Sequence, residues 1–219
     1  GSEGNRALVV SYGLAEDEAG VALWRWREGA LEPFGAPVSI SGVAYTVPVD
    51  LDRDGIADLI ALDQVGNRAV AVRHDGGGAL TVGQAWSVCD EPRAAALADV
   101  DGDGAVDLVA VCRVGGLTVI PDVMDGGGEP YDIPWEGSLY DIQVRDADGD
   151  GCPELAAVDI GLHGLVQWRL PLQNPAAPIP AVTSTGRGPV QLAGLGDSGD
   201  LVVLCFEQRT LELLRAPTQ

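Results

Sequence analysis

An all-β fold made of repeated four-stranded sheets is predicted by three observations. An acidic loop recurs three times, beginning at Asp50, Asp99 and Asp146, at offsets of 49 and 47 residues. Each copy runs directly into a strand-length apolar segment: DLIAL, DLVAV or ELAAV. No segment sustains a helical period; the chain is a series of short alternating or continuously apolar runs between Gly, Asp and Pro turns. Four strands in a unit of about 48 residues is the pattern of a β-propeller blade. Five such units fit the chain, at about 6–45, 46–94, 95–142, 143–190 and 191–219, within a single domain spanning 1–219.

Each unit has the same grammar. An apolar first strand leads in: AYTVPV (44–49), AAALADV (94–100), LYDIQV (139–144) and PVQLAGL (189–195). The acidic turn separates it from a second strand that is apolar on both faces, as a strand buried between neighbouring sheets requires. A third strand follows a polar or Gly-rich turn: RAVAVRH (68–74), GLTVIP (116–121), LVQWRLPL (165–172), TLELLRA (210–216) and, near the start, VALWRWR (21–27). A more polar fourth strand closes the unit: LTVGQAWSV (80–88), EPYDIPW (129–135), PIPAVTS (178–184) and, near the start, APVSIS (36–41). The N-terminal unit, opening on RALVVSY (6–12), lacks a first strand, and the C-terminal unit lacks a last one. The acidic loop of the C-terminal unit is worn to GLGDSGD.

The three full loops read DLDRDGIAD, DVDGDGAVD and DADGDGCPE. Acids at positions 1, 3 and 5 with Gly at 6 match the start of an EF-hand loop, whose twelfth position supplies a bidentate Glu. Here that position is Ala61, Ala110 or Ala157, inside the apolar strand. An EF-hand is thereby excluded. The fourth acid comes early, at position 9. This D-x-D-x-D-G-x-x-D/E pattern joined to an apolar strand resembles the calcium loops of FG-GAP and VCBS repeats, which build the propellers of integrin α-subunits and of bacterial surface proteins. The resemblance implies about three calcium ions. Their ligands would be Asp50, Asp52, Asp54, the Ile56 carbonyl and Asp58; Asp99, Asp101, Asp103, the Ala105 carbonyl and Asp107; and Asp146, Asp148, Asp150, the Cys152 carbonyl and Glu154.

The chemistry supports that expectation independently of the family. Calcium takes 6–8 hard oxygen ligands in irregular geometry, which alternate residues of a curled loop can supply, whereas magnesium demands a rigid octahedron. Gly55, Gly104 and Gly151 permit the bend, where a Cβ would clash. Two like charges about 4 Å apart repel by about 1 kcal/mol in water and about 4 kcal/mol at an effective dielectric of 20. A cluster of four carboxylates therefore favours a cation. Integrin-like relatives usually have seven blades; five units leave a small ring, an excised fragment, or self-association through the incomplete terminal blades.

The composition narrows the partners. Thirty-three acids stand against 13 basic residues, a net charge of −20, and this argues against nucleic acid, which selects a basic face. No apolar run approaches the roughly 20 residues of a membrane helix, so membrane insertion is not expected. The Ala-, Gly-, Asp- and Arg-rich composition has the look of a bacterial protein.

Few other residues carry a chemical signal. His74 and His163 each stand beside a turn, outside any recognisable constellation, and read as surface histidines. Trp24, Trp26, Trp86, Trp135 and Trp168 offer either inter-blade packing or sugar-stacking platforms; Trp24 and Trp26 share one strand face, which is expected to be buried. Cys89 and Cys112 flank strands whose antiparallel pairing brings them near each other, and whether they bond is open. Cys152 is expected to be a free thiol, and no C-x-x-C spacing suggests zinc.

The function expected on these grounds is a calcium-stabilised binding or scaffold propeller, secreted or at the cell surface, as in cell adhesion. It would present loops to a protein or carbohydrate ligand, with calcium structural. The chain is then not an enzyme, because the conspicuous carboxylates are committed to metal and no nucleophile–base pair is visible. A glycan-binding lectin is one alternative; a propeller-type hydrolase or polysaccharide lyase is another.

Overall fold

The computed structural model describes residues 7–12, 19–146, 152–172, 180–195 and 200–215. The chain divides into two compact units, Gly1–Val88 and Cys89–Gln219. The first holds two antiparallel sheets. One is β1 (Ala7–Tyr12), β2 (Gly20–Arg27), β3 (Ala30–Pro33) and β4 (Val38–Ser39), with β2 pairing both short strands; the other is β5 (Val43–Val49), β6 (Asp58–Asp63), β7 (Arg68–His74) and β8 (Leu80–Ser87) in sequence order. The second unit holds three. They are β9 (Pro92–Ala98), β10 (Asp107–Cys112), β11 (Gly116–Ile120) and β12 (Tyr131–Pro134); β13 (Leu139–Arg145), β14 (Glu154–Asp159), β15 (Gly164–Arg169) and β16 (Ala181–Ser184); and β17 (Pro189–Gly194), β18 (Leu201–Cys205) and β19 (Thr210–Leu214).

The fold is the expected all-β propeller type. The first sheet has four strands, because two short ones, β3 and β4, both pair with β2, where the sequence implied a unit short of one strand. Among the described residues no strand precedes β1 in its sheet, and the last sheet has three strands. The central strands β6, β10 and β14 are buried at every position. This is why DLIAL, DLVAV and ELAAV show no alternation: both faces meet apolar neighbours. By contrast β1 is largely exposed, with Leu8 half accessible. In the first unit Val21, Leu23, Leu59, Ala61, Val70 and Val72 join one core, with Val9 and Phe34 packed on it.

The last residue of each buried strand fastens the sheet. Asp63, fully buried, accepts hydrogen bonds from Ser41 Oγ (2.8 Å), the Gly66 N–H (2.9 Å) and Arg68 Nε (2.8 Å). Asp159, also fully buried, accepts from Trp135 Nε1 (2.6 Å) and from the N–H groups of Ser138, Gly161 and Leu162. In the third sheet the same position is Cys112, which is disulfide-bonded to Cys89. The open question of that pair is thus settled. In the last sheet it is Cys205, a buried free thiol whose pKa burial and the Glu212 carboxylate raise.

The tryptophans divide. Trp86 and Trp168 are buried, and Trp135 packs edge-on against Trp168 with ring centroids 5.6 Å apart. The face shared by Trp24 and Trp26 is not buried as expected: Trp24 is half-buried and Trp26 is 66% exposed. Trp26 and Arg27 stand at the end of β2, paired with Leu31 and Ala30 across a tight hairpin where Glu28 and Gly29 take positive φ, and the tip of that hairpin is exposed.

Candidate functional site

Among the described residues two features stand out: the acidic loops and a pocket beside the first of them. The first two loops fold on their own carboxylates. Asp50 accepts from the N–H groups of Asp54 (3.1 Å) and Gly55 (2.9 Å); Asp99 accepts from those of Gly102 (2.7 Å) and Gly104 (3.0 Å). Gly55 and Gly104 take φ of 85° and 91°; an added Cβ would meet nothing within 4 Å at either, so the left-handed backbone selects glycine there and not the clash that was expected. The position-9 acids begin β6 and β10 and are almost fully buried. Asp58 accepts from the N–H groups of Leu51 (3.1 Å) and His74 (2.7 Å); Asp107 accepts from those of Val100 (2.8 Å) and Asp122 (2.9 Å).

The geometry gathers three carboxylates in each loop. Oxygens of Asp50, Asp52 and Asp58 lie within 4.8 Å of one another, as do those of Asp99, Asp101 and Asp107. All the donors are hard oxygens, the set calcium takes. Asp54 and Asp103 are not in these clusters. Their carboxylates instead cap the turn, accepting the N–H groups of Ile56 and Ala105 at 2.7 Å each. In the third loop Asp148 and Asp150 lie outside the described residues; Asp146 and Cys152 are half-buried and Glu154 is buried.

The surroundings of the two clusters differ. At the first, Arg73 Nη1 lies 2.6 Å from Asp52 and 3.7 Å from Asp58. At the second, the residue whose N–H caps the position-9 acid is itself an aspartate, Asp122. Burial raises the Asp107 pKa, against hydrogen bonds from Asp122 and Val100, and Asp101 and Asp103 push it further up. Desolvation raises that of Asp122, with Asp103, Asp101 and Asp125 adding repulsion.

The pocket lies within the first unit and has a volume of about 630 Å³. Ala7 and Val9 of β1 pair with Arg25 and Leu23 of β2, placing one face of this hairpin along its wall; Arg27 continues that face by the two-residue period of a strand. Opposite are Pro48 and Leu59 of the second sheet, the metal-loop residues Gly55, Ile56 and Ala57, and His74 at the end of β7. Phe34 lies between the polar groups. The Arg25 guanidinium stacks on its ring at 4.8 Å, and the His74 ring meets it edge-on at 5.7 Å. Arg25 Nε is held by Glu32 at 2.8 Å. His74 Nε2 is buried without a hydrogen-bond partner, one of several such side-chain atoms among the described residues and the one that lies on this pocket.

His74 is therefore not the surface histidine the sequence suggested. Sequence reading missed this group because Arg25, Phe34 and His74 come from separate elements. The one available signal was the WRWR segment, a basic cluster in a strongly acidic chain. His163 plays a local role, its Nδ1 accepting the Gly188 N–H at 3.2 Å.

Residues 50–110 match the FG-GAP-like repeat, so the stretch holding both complete clusters is a repeat of the expected family. No curated protein sequence matches the chain. Solved structures match its fold over nearly the whole length. Among them is the periplasmic gluconolactonase of Pseudomonas aeruginosa, with a TM-score of 0.65 at 18% identity over 98% of this chain and 69% of that one. A candidate 6-phosphogluconolactonase of Bacteroides fragilis gives 0.64 at 16% identity over 100% and 70%. Its counterpart from Bacteroides uniformis gives 0.62 at 14% identity over 95% and 66%. This chain spans about two thirds of the length of these proteins, and at such identities the likeness establishes the fold.

These matches overturn the expectation that the chain is not an enzyme. Three structures of its fold are named as lactonases. The premise also fails, because the acidic loops leave a separate pocket with its own histidine and arginines. Among the described residues no helix is long and apolar enough to cross a membrane.

Proposed function

We propose that the protein is a propeller-type hydrolase that opens a cyclic ester of a sugar acid, with His74 as general base. The observation that carries the reading is the buried, unpartnered Nε2 of His74 on a pocket of about 630 Å³, within the range of small-molecule sites. The lactonase names of similarly folded proteins supply the reaction class.

In this reading His74 Nε2 takes a proton from a water whose oxygen attacks the lactone carbonyl carbon. The carbonyl π-pair moves onto oxygen, and the Arg25 guanidinium supplies positive charge for the oxyanion. Collapse breaks the ring C–O bond, and the imidazolium returns its proton to the departing alkoxide. Lactone and water become the open hydroxy acid. Phe34 orients both groups, since Arg25 and His74 each contact its ring.

Calcium has a structural part in the proposal. Asp50, Asp52 and Asp58, and separately Asp99, Asp101 and Asp107, would hold the ions, with Asp54, Asp103 and the carbonyls of Ile56 and Ala105 completing the shells after small loop adjustments. The equivalent residues from Asp146 to Glu154 would hold a third. A bound ion neutralises the clustered carboxylates and fixes the loops. Asp58 then matters to the pocket, because it accepts the backbone N–H of His74 and its loop supplies Gly55, Ile56 and Ala57 to the wall. An extracytoplasmic location is also proposed, supported by the Cys89–Cys112 disulfide, which persists in oxidising compartments.

The test is acid release from glucono-δ-lactone in a pH-stat. The wild type is expected to exceed the spontaneous rate, and His74→Ala to lose about a hundredfold or more of that activity. A wild type with no acceleration, or a His74→Ala variant at full rate, would sink the proposal.

A further inference from the structure

The polarity of the pocket is opposite to that of the chain. Acids outnumber basic residues 33 to 13 overall. Yet among the described residues the pocket is lined by Arg25, Arg27 and His74 and by no aspartate or glutamate. A neutral sugar ring needs no such reversal. We infer that the ligand carries an anionic group, phosphate or carboxylate, which Arg27 binds at the mouth with Arg25 behind it. The inference rests on the reading of this pocket as the substrate site and specifies the substrate that the site selects.

The two arginines differ in how far they are committed. Arg25 is fixed by Glu32 through Nε at 2.8 Å and by the Phe34 ring. Arg27 faces Glu28 and Glu32 only at 3.9 and 3.8 Å, with 59% of its side chain exposed. Both are ion pairs longer than a hydrogen bond, so an anionic ligand would compete with Glu28 and Glu32 for its donors. A guanidinium presents them as a planar fork that matches phosphate and carboxylate oxygens pairwise.

Calorimetric titration of the full chain with glucose, gluconate and glucose 6-phosphate tests this without requiring catalysis. At least one of the two anionic probes is expected to bind about tenfold or more tightly than glucose, and which one does so identifies phosphate or carboxylate as the group recognised. The preference should weaken as salt is raised. Arg27→Gln is expected to erase it and Arg27→Lys to restore part of it, while Arg113→Gln, at an exposed ion pair of the second unit, leaves it intact. Binding of all three probes within twofold of one another, or a preference unchanged in Arg27→Gln, would overturn the inference. If lactone hydrolysis is present but the preference absent, the hydrolase stands and the anion subsite falls. If the preference is present without hydrolysis, the anion subsite stands and the hydrolase falls.

Discussion

The loops at 50–58 and 99–107 share a pattern of acids and a backbone course, yet their neighbours treat the same negative charge in opposite ways. At the first, Arg73 reaches back from β7 and lays its guanidinium against Asp52 and Asp58. At the second, β11 ends one residue before Pro121, which occupies the corresponding position and brings no charge; the next residue, Asp122, adds another carboxylate. The correspondence is fixed by hydrogen bonding, since His74 and Asp122 donate to the matching position-9 acids. One loop therefore carries a tethered cation that a metal ion must displace or share. The other has only repulsion, relieved by a metal ion or by protons. Equal motifs need not have equal affinities, because affinity is set by charge that the motif does not contain.

The largest effect expected from this contrast is on stability in calcium. An ion bound to the native state at a hundredfold over its dissociation constant contributes about 2.7 kcal/mol. Asp107→Asn should forfeit most of that contribution from the tighter second site, lowering the melting midpoint in calcium more than Asp58→Asn does. A larger loss from Asp58→Asn would reverse the assignment.

A smaller effect is expected from moving the counter-charge. Ion pairs as exposed as Arg73–Asp52 are worth up to about 1 kcal/mol, so Arg73→Gln should tighten calcium at the first loop by about fivefold. Pro121→Arg should weaken the second loop by a similar factor. Titration calorimetry on the two variants reads both changes, and identical affinities in the wild type and in both variants would dissolve the comparison.

The smallest effect expected is on the response to acid. The folded-state pKa values of Asp107 and Asp122 are raised, by burial first and then by neighbouring carboxylates. A raised acid binds more protons folded than unfolded, so its penalty is full at neutral pH and is relieved as pH falls through the folded pKa toward the ordinary aspartate range. In chelator, these two groups should therefore make a positive contribution to the midpoint on mild acidification. In calcium the sign inverts, because protons then compete with the ion. Asp107→Asn should flatten the chelator profile over that range; an unchanged slope would show that the charge there is relieved in some other way.

Much of the fold was legible because its cause is local. The acidic loops announced themselves by spacing, and the buried second strands by continuous apolarity in DLIAL, DLVAV and ELAAV. Counting runs gave the three strands described in the last sheet but not the split of the first sheet's closing strand into β3 and β4. The candidate site was legible only in part. Asp50, Asp52, Asp58, Asp99, Asp101 and Asp107 come together as their positions implied, whereas Asp54 and Asp103 turn to cap their own loops. That choice depends on backbone N–H groups freed by the turn, which a ligand pattern does not show. Arg73 read as the polar end of a third strand, and nothing in RAVAVRH says that its side chain folds back over a loop 15 residues upstream at Asp58. The pocket was invisible for the same reason. Val9, Arg25, Phe34 and His74 become neighbours only through sheet packing, which no local motif announces.

The fastener at the end of each buried strand has a consequence for where such a protein can operate. In two sheets it is an aspartate ringed by donors, Asp63 or Asp159, and in one it is the Cys89–Cys112 bond. The first kind is indifferent to electron donors and the second is not. Transfer from an oxidising to a thiol-rich milieu would thus unpick one seam of the molecule and leave its counterparts sewn, and the earliest loosening under mild reductant should map to residues 89–112 rather than spread evenly through the repeats.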